Sequence, residues 1–196
     1  MATRLKVLIT AFEPFAGLAE NPSEAVARKV VARSLPAADL SLCVLPVEYH
    51  EAMAQVRRMV AHYDAVIMLG FARKRKDVCL ERVALNFMDA SHPDNAGFQP
   101  IEESILPAGP VAYISSLPLK AWKKALTAAG LSASVSNSAG TYVCNAVYYA
   151  ALHEIEQQAL PTRALFIHIP PTESLPDASQ TVEKVILLLS SPNATS

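Results

Sequence analysis

Glycine is scarce in this 196-residue chain, with only six residues. No Walker A loop, G-x-G-x-x-G turn or G-x-S-x-G elbow is present, so a glycine-rich phosphate cradle and a serine-hydrolase elbow are both excluded. Charge is low as well: 18% of residues are charged and the formal net charge is −1. That balance gives no general affinity for nucleic acid or for anionic membranes. Cysteine is limited to Cys43, Cys79 and Cys144. Three thiols cannot all pair within one chain and none forms C-x-x-C, which argues against a disulfide framework or zinc ribbon and for a reducing compartment. No apolar run reaches bilayer-spanning length. The opening MATRLKVLITAF reads as a strand rather than the longer apolar core of a signal peptide. A cytoplasmic location is therefore the expectation. No H-E-x-x-H or other metal spacing involves His50, His62, His92 or His153. Neither a metal nor an organic cofactor is implied.

What is abundant is apolar surface, at 52% of residues. That excludes disorder and provides for a substantial core, and it also suits buried subunit contacts. With no Pro/Gly/Ser linker and no internal repeat, residues 1–196 read as a single domain. Apolar, β-branched runs at 5–12, 40–47, 65–70, 79–86 and 163–169 read as strands. Helices are expected over 21–35, over 49–62, over 117–130 closed by Gly130, from Thr141 to Gln157, and over 176–190. Asn21, Pro22 and Glu24 suit the cap, first turn and capping-box positions of the first of these helices. A short strand or loop covers 132–140, and 88–110 reads as an extended loop. The tail 191–196 reads as frayed, and its Asn193-Ala194-Thr195 sequon carries no meaning without a secretory signal. The alternation predicts an α/β fold: a single-domain three-layer sandwich with a mostly parallel central sheet and helices on both faces. Ligands in such sheets bind beyond the carboxyl ends of strands, which singles out the loops after Phe12, Gly70 and His168.

Three side chains could carry chemistry. Cys144 falls near the start of a predicted helix, where the dipole and free N–H groups favour a thiolate and could hold an oxyanion. The alternative is a small buried apolar residue. His168 ends an apolar strand before two prolines, where an imidazole could take a thiol proton and return it to a leaving amine. Otherwise it is a rim histidine satisfied by its neighbours. Glu81 interrupts an apolar strand, where a carboxylate needs a partner. That partner is either the histidine, whose tautomer it would fix, or a cation such as Arg82. Phe12 and Phe15 could wall a pocket or simply fill the core. The run Arg73-Lys74-Arg75-Lys76 reads as a solvated loop.

In five segments the chain resembles pyroglutamyl peptidase I, the pyrrolidone-carboxylate peptidase family of cysteine peptidases. They are TAFEPFAG…NPS, ERVALNFMDASHPDNAG, GPVAYISSLPL, SNSAGTYVCN and FIHIP, in the family's order and with similar spacing. The resemblance implies a thiol omega-peptidase that removes N-terminal pyroglutamate from peptides blocked at that end. It places the family's cysteine, histidine and glutamate on Cys144, His168 and Glu81, and its aromatic pocket residues on Phe12 and Phe15. Asn21 matches the asparagine of the N-P-S segment. A homodimer or homotetramer is implied by the same analogy. Two segments depart from the family. Where it commonly reads G-Q-A-G-G-R, this chain has Gly70-Phe71-Ala72-Arg73-Lys74-Arg75, so Phe71 stands where a glutamine would hold the lactam. Where it reads D-A-R-x-P-D-N, Ser91 replaces the arginine. The competing expectations are a shifted acyl specificity and a non-catalytic binding protein. A class I glutaminase would need H-x-E after the last strand, and His168 is followed by Ile169 and Pro170.

Overall fold

The computed structural model describes residues 4–15, 17–171 and 178–190. Six strands form one sheet: β1 (Leu5–Phe12), β2 (Ala38–Leu45), β3 (Ala65–Phe71), β4 (Val78–Glu81), β7 (Ala133–Ser136) and β8 (Arg163–Ile169). Their order is β2-β1-β3-β8-β4-β7. Neighbours from β2 to β8 run parallel, β4 lies antiparallel to β8, and β7 follows β4 in parallel. The sheet is thus mostly parallel, as the strand–helix alternation predicts, with one reversal beside β8.

Helices cover both faces. On one, α1 (Pro22–Val31), α3 (Leu119–Ala128) and α5 (Ala178–Leu189) pack Val26, Val30, Trp122, Leu126, Val182 and Ile186 over Val7, Ile9, Leu80 and Ile167. On the other, α2 (Tyr49–Val60) and α4 (Val143–Gln157) pack Val56, Val60, Val147 and Tyr148 over Leu8, Val66, Met68 and Phe166. Strands β1, β3 and β8 are buried on both faces, which is why they read as near-continuous apolar runs instead of alternating patterns.

The expected strand over 79–86 is two strands in two sheets. At Arg82 the chain leaves the main sheet, and β5 (Val83–Leu85) pairs antiparallel with β6 (Ala112–Ile114). Both sides of the transfer are pinned by backbone bonds, Arg82 N–H to Ser136 O at 2.7 Å and Ser115 N–H to Arg82 O at 2.8 Å. No glycine or proline marks the break, so the apolar run conceals it. The 88–110 segment is irregular as expected, apart from an isolated Met88–Glu103 bridge. It is organised by the buried Asp94, whose Oδ1 accepts from the N–H groups of Ala96 and Phe98 while Oδ2 accepts from Tyr49 N–H at the start of α2. Asp94 thereby supplies from a distance the cap that Glu48 does not provide locally.

At α1 the cap is as expected but the box is not. Asn21 Oδ1 accepts from Ser23 N–H and Pro22 opens the helix, whereas the Glu24 carboxylate turns along the helix to Arg28 at 2.7 Å. Gly130, at φ +75°, closes α3 in the left-handed region, as its place in the sequence predicts. Positions 176–177 of the expected last helix and the tail 191–196 lie outside the described residues.

Candidate active site

The reversal at β4 brings a carboxylate to an imidazole. In the β4–β8 register Cys79 opposes His168 and Glu81 opposes Phe166, so Glu81 and His168 are diagonal neighbours on the face covered by α4. Diagonal pairs are within reach of long side chains. His168 Nδ1 and Glu81 Oε1 lie 2.8 Å apart, with both side chains buried. With the carboxylate ionised, Nδ1 carries the hydrogen and donates it.

Glu81 has a second partner, and it is not Arg82. The Arg82 guanidinium donates to Asn137 Oδ1 at 2.9 Å. The cation facing Glu81 is Arg75, with Nη2 3.3 Å from Oε1. Both sequence readings of Glu81, histidine partner and ion pair, therefore hold at one oxygen. This also corrects the solvated-loop expectation for 73–76: Arg73, Lys74 and Lys76 are exposed, and Arg75 folds inward.

Cys144 is the second residue of α4. Gly140, at φ +83°, turns the chain into the helix, and Tyr142 takes the cap position in an extended conformation. The loop is tied at Thr141, whose Oγ1 donates to Asp89 O at 2.7 Å. Next to Cys144, the buried Asn145 accepts from Leu85 N–H and donates to the carbonyls of Leu85 and Phe87. The sulfur lies close over the end of β3. A Cβ on Gly70 would stand 2.8 Å from Cys144 Sγ and 2.7 Å from Phe166 Cζ, so only glycine fits at that strand position.

The electrostatics of the thiol run opposite to the sequence expectation. Burial, with a smaller contribution from the Glu81 charge, pushes Cys144 up to about 12. A hydrogen bond from its own backbone N–H pulls the other way without prevailing. Desolvation of the sulfur outweighs the helix N-terminus here, so the resting group is a neutral thiol. Among the described residues no hydrogen bond joins Cys144 to His168, although both line one cavity.

That cavity, of about 190 Å³, is walled by Phe12, Phe15, Phe71, Val47 and Tyr142, with Cys144 and His168 on one side. All three phenylalanines expected at a substrate pocket are there. Asn21 reaches the same cavity while capping α1, with its Nδ2 donating to Glu13 O at 2.9 Å. His92, which belongs to no metal spacing in the sequence, also lines it. Its ring sits 4.8 Å from that of Tyr142, and Ser91 Oγ lies 3.1 Å from its Nδ1. A neighbouring cavity of about 260 Å³ shares Phe15, Phe71 and His92 and reaches Leu18 and Arg73.

Sequence reasoning missed Gly70, Arg75, His92 and Asn145. Two carried a local signal: a glycine closing an apolar strand, and an asparagine inside the otherwise apolar start of α4. Arg75 and His92 carried none, because only the fold brings Arg75 onto Glu81 and the exposed His92 to the cavity rim.

Comparison with known proteins gives a consistent result. The family model described as pyroglutamyl peptidase matches residues 5–187. A pyrrolidone-carboxylate peptidase of Thermococcus kodakarensis is 44% identical over 169 residues, covering 85% of this chain and 81% of that one. One from Pectobacterium carotovorum is 45% identical over 166 residues, covering 84% and 77%. Among solved structures, pyroglutamyl peptidase I from Bacillus amyloliquefaciens superimposes with a TM-score of 0.85 at 32% identity, covering 98% of this chain and 96% of that one.

Proposed function

The chain belongs to the pyroglutamyl peptidase family, and from that premise we propose that it is a cysteine omega-peptidase hydrolysing the N-terminal pyroglutamyl residue of peptides. The observation that carries this reading is the 2.8 Å His168–Glu81 bond at the edge of an apolar cavity that also holds Cys144. Pyroglutamate is a neutral lactam, which suits aromatic walls and needs no charged anchor.

The geometry supports a role for each residue. Glu81 fixes the His168 tautomer with hydrogen on Nδ1, leaving Nε2 free to accept a proton. Because the thiol rests neutral, the thiolate forms as it attacks: the Cys144 proton passes to Nε2 while Sγ bonds to the pyroglutamyl carbonyl carbon. Such hydrogen bonds often close only when substrate is bound. The developing oxyanion is held by free N–H groups at the start of α4. The amide C–N bond then breaks, with His168 returning its proton to the departing amine. Water, deprotonated by His168, hydrolyses the thioester and restores the thiol. The same reading carries a cytoplasmic homodimer or homotetramer, and the described residues include no helix long and apolar enough to cross a membrane.

One observation favours a second reading, a shifted acyl specificity. Phe71 presents a ring to the cavity where a glutamine would offer hydrogen bonds. The test is release of a fluorophore from a pyroglutamyl amide by the wild type and by Cys144→Ser, with and without a thiol alkylator. Thiol-dependent release that disappears in the variant supports the proposal. No release from pyroglutamyl amides, with release from another small acyl amide, would select the second reading. No turnover of any acyl amide would leave a binding protein.

A further inference from the structure

Arg75 belongs to a basic run whose other members face solvent, yet its guanidinium is folded against the buried acid. Nη2 lies 2.9 Å from Ser136 Oγ, 3.0 Å from the Ser138 carbonyl and 3.3 Å from Glu81 Oε1. The two shorter contacts fix the guanidinium at the end of β7, and the longer one aims its charge at the carboxylate. Glu81 needs that charge. Its side chain is fully buried, Oε1 is shared with His168, and Oε2 has no hydrogen-bond partner among the described residues. A sealed carboxylate facing only a neutral imidazole would be costly to keep ionised. Once protonated it would donate to Nδ1 instead of accepting from it, so the hydrogen of His168 would move to Nε2 and block the thiol proton's destination.

The same guanidinium reaches the other half of the site. Ser138 lies in the loop that leads through Gly140 into α4, so one side chain joins the strand carrying the acid to the segment carrying the thiol. The groups facing Glu81 are His168 from β8, Cys144 and Tyr148 from α4, Cys79 from its own strand and Arg75 from the preceding loop. β7 adds only the uncharged Ser136 hydroxyl, which holds Arg75. Arg75 is the one permanent cation among them.

We propose that Arg75 is a positioning residue for the reaction, holding Glu81 ionised and Oε1 directed at His168 Nδ1 while setting the loop before Cys144. This inference rests on the peptidase reading above. Its test pairs kinetics with a readout that needs no turnover, the ¹⁵N imidazole signals of His168, which report its tautomer. Arg75→Gln is expected to lower kcat about 10- to 100-fold with KM within about threefold. The acidic limb of kcat/KM should move up by about one pH unit. The His168 signals should shift from the Nδ1–H toward the Nε2–H tautomer. Arg75→Lys, which keeps the charge, should recover most of the pH profile. An Arg75→Gln enzyme with wild-type kcat, or a slower one with unchanged pH profile and tautomer, overturns the proposal. If Arg75→Gln does not fold, Ser136→Ala serves. It removes the shortest contact of the guanidinium and should lower kcat about threefold or more, and unchanged kcat and tautomer there would be fatal. A wild type that releases nothing from pyroglutamyl amides would instead defeat the peptidase reading, with the His168 signals still reporting on Arg75.

Discussion

The two halves of the site are built on opposite principles. The corner formed by β4, β8 and the end of β7 is polar and ionic, with His168, Glu81, Arg75 and Ser136 joined by short contacts inside the protein. The wall opposite is aromatic, made by Phe12, Phe15, Phe71 and Tyr142. In the polar corner each group constrains the next, because a lost partner leaves a buried charge behind. On the wall, contacts are non-directional, so a residue can change without disturbing its neighbours. The departures from the family pattern, at Phe71, Arg73, Lys74 and Ser91, leave the Glu81–His168 bond in place, and Phe71 is the one that lines the cavity.

The sharpest way to break the contrast is Glu81→Gln. The isosteric amide keeps the volume but can donate to Nδ1, so the His168 tautomer is lost. The expected effect is a fall in kcat of about 1,000-fold or more with KM little changed, read from steady-state kinetics on a pyroglutamyl amide. An effect below about tenfold would remove Glu81 from the machinery. Next comes Gly70→Ala, where the added methyl would press on both Cys144 Sγ and Phe166. Overpacking of this kind costs about 1–3 kcal/mol in thermal or denaturant unfolding, and displacement of the sulfur should lower kcat as well. Wild-type stability and rate together would show that the sulfur has slack there.

Phe71→Gln sharpens the contrast from the other side. Restoring a hydrogen-bonding side chain to the wall is expected to raise kcat/KM for pyroglutamyl substrates by about tenfold, with little change in unfolding midpoint. A decrease would mean that the ring itself recognises the acyl group. The smallest expected effect concerns alkaline pH. The folded Cys144 thiol titrates near 12, above its unfolded value of about 9. Below pH 9 both states keep the proton and stability is unaffected. Between about 9 and 12 the unfolded chain loses it first, so stability falls as pH rises. Cys144→Ser should lose less stability over that window than the wild type, measured by urea unfolding at pH 8 and pH 10. An equal loss would show that the thiol is not held neutral by the fold.

The same division governs what could be read from the sequence. Doubly buried strands and capped helices announce themselves by composition, so β1, β3, β8 and α4 were legible almost to their ends, whereas α1 stops at Val31, a turn short of the expected 35. Cys144, His168 and Glu81 were legible as polar or reactive groups set in apolar runs at element ends. What was not legible depends on pairing. The antiparallel reversal of β4, which makes Glu81 a diagonal neighbour of His168, leaves no trace in a four-residue strand. Arg75 looks like its solvated neighbours until β7 supplies Ser136. The thiol's electrostatics were misread because the helix start was visible in the sequence and the desolvating walls were not.

The most direct test of the account is covalent. A pyroglutamyl amide reaction quenched in acid within the first turnovers, then digested and weighed by mass spectrometry, should show one pyroglutamyl acyl group on the peptide containing Cys144, absent from Cys144→Ser and labile to hydroxylamine. Turnover of the substrate with Cys144 never acylated, or with the acyl group on Cys43 or Cys79, would contradict the assignment of Cys144 as the nucleophile.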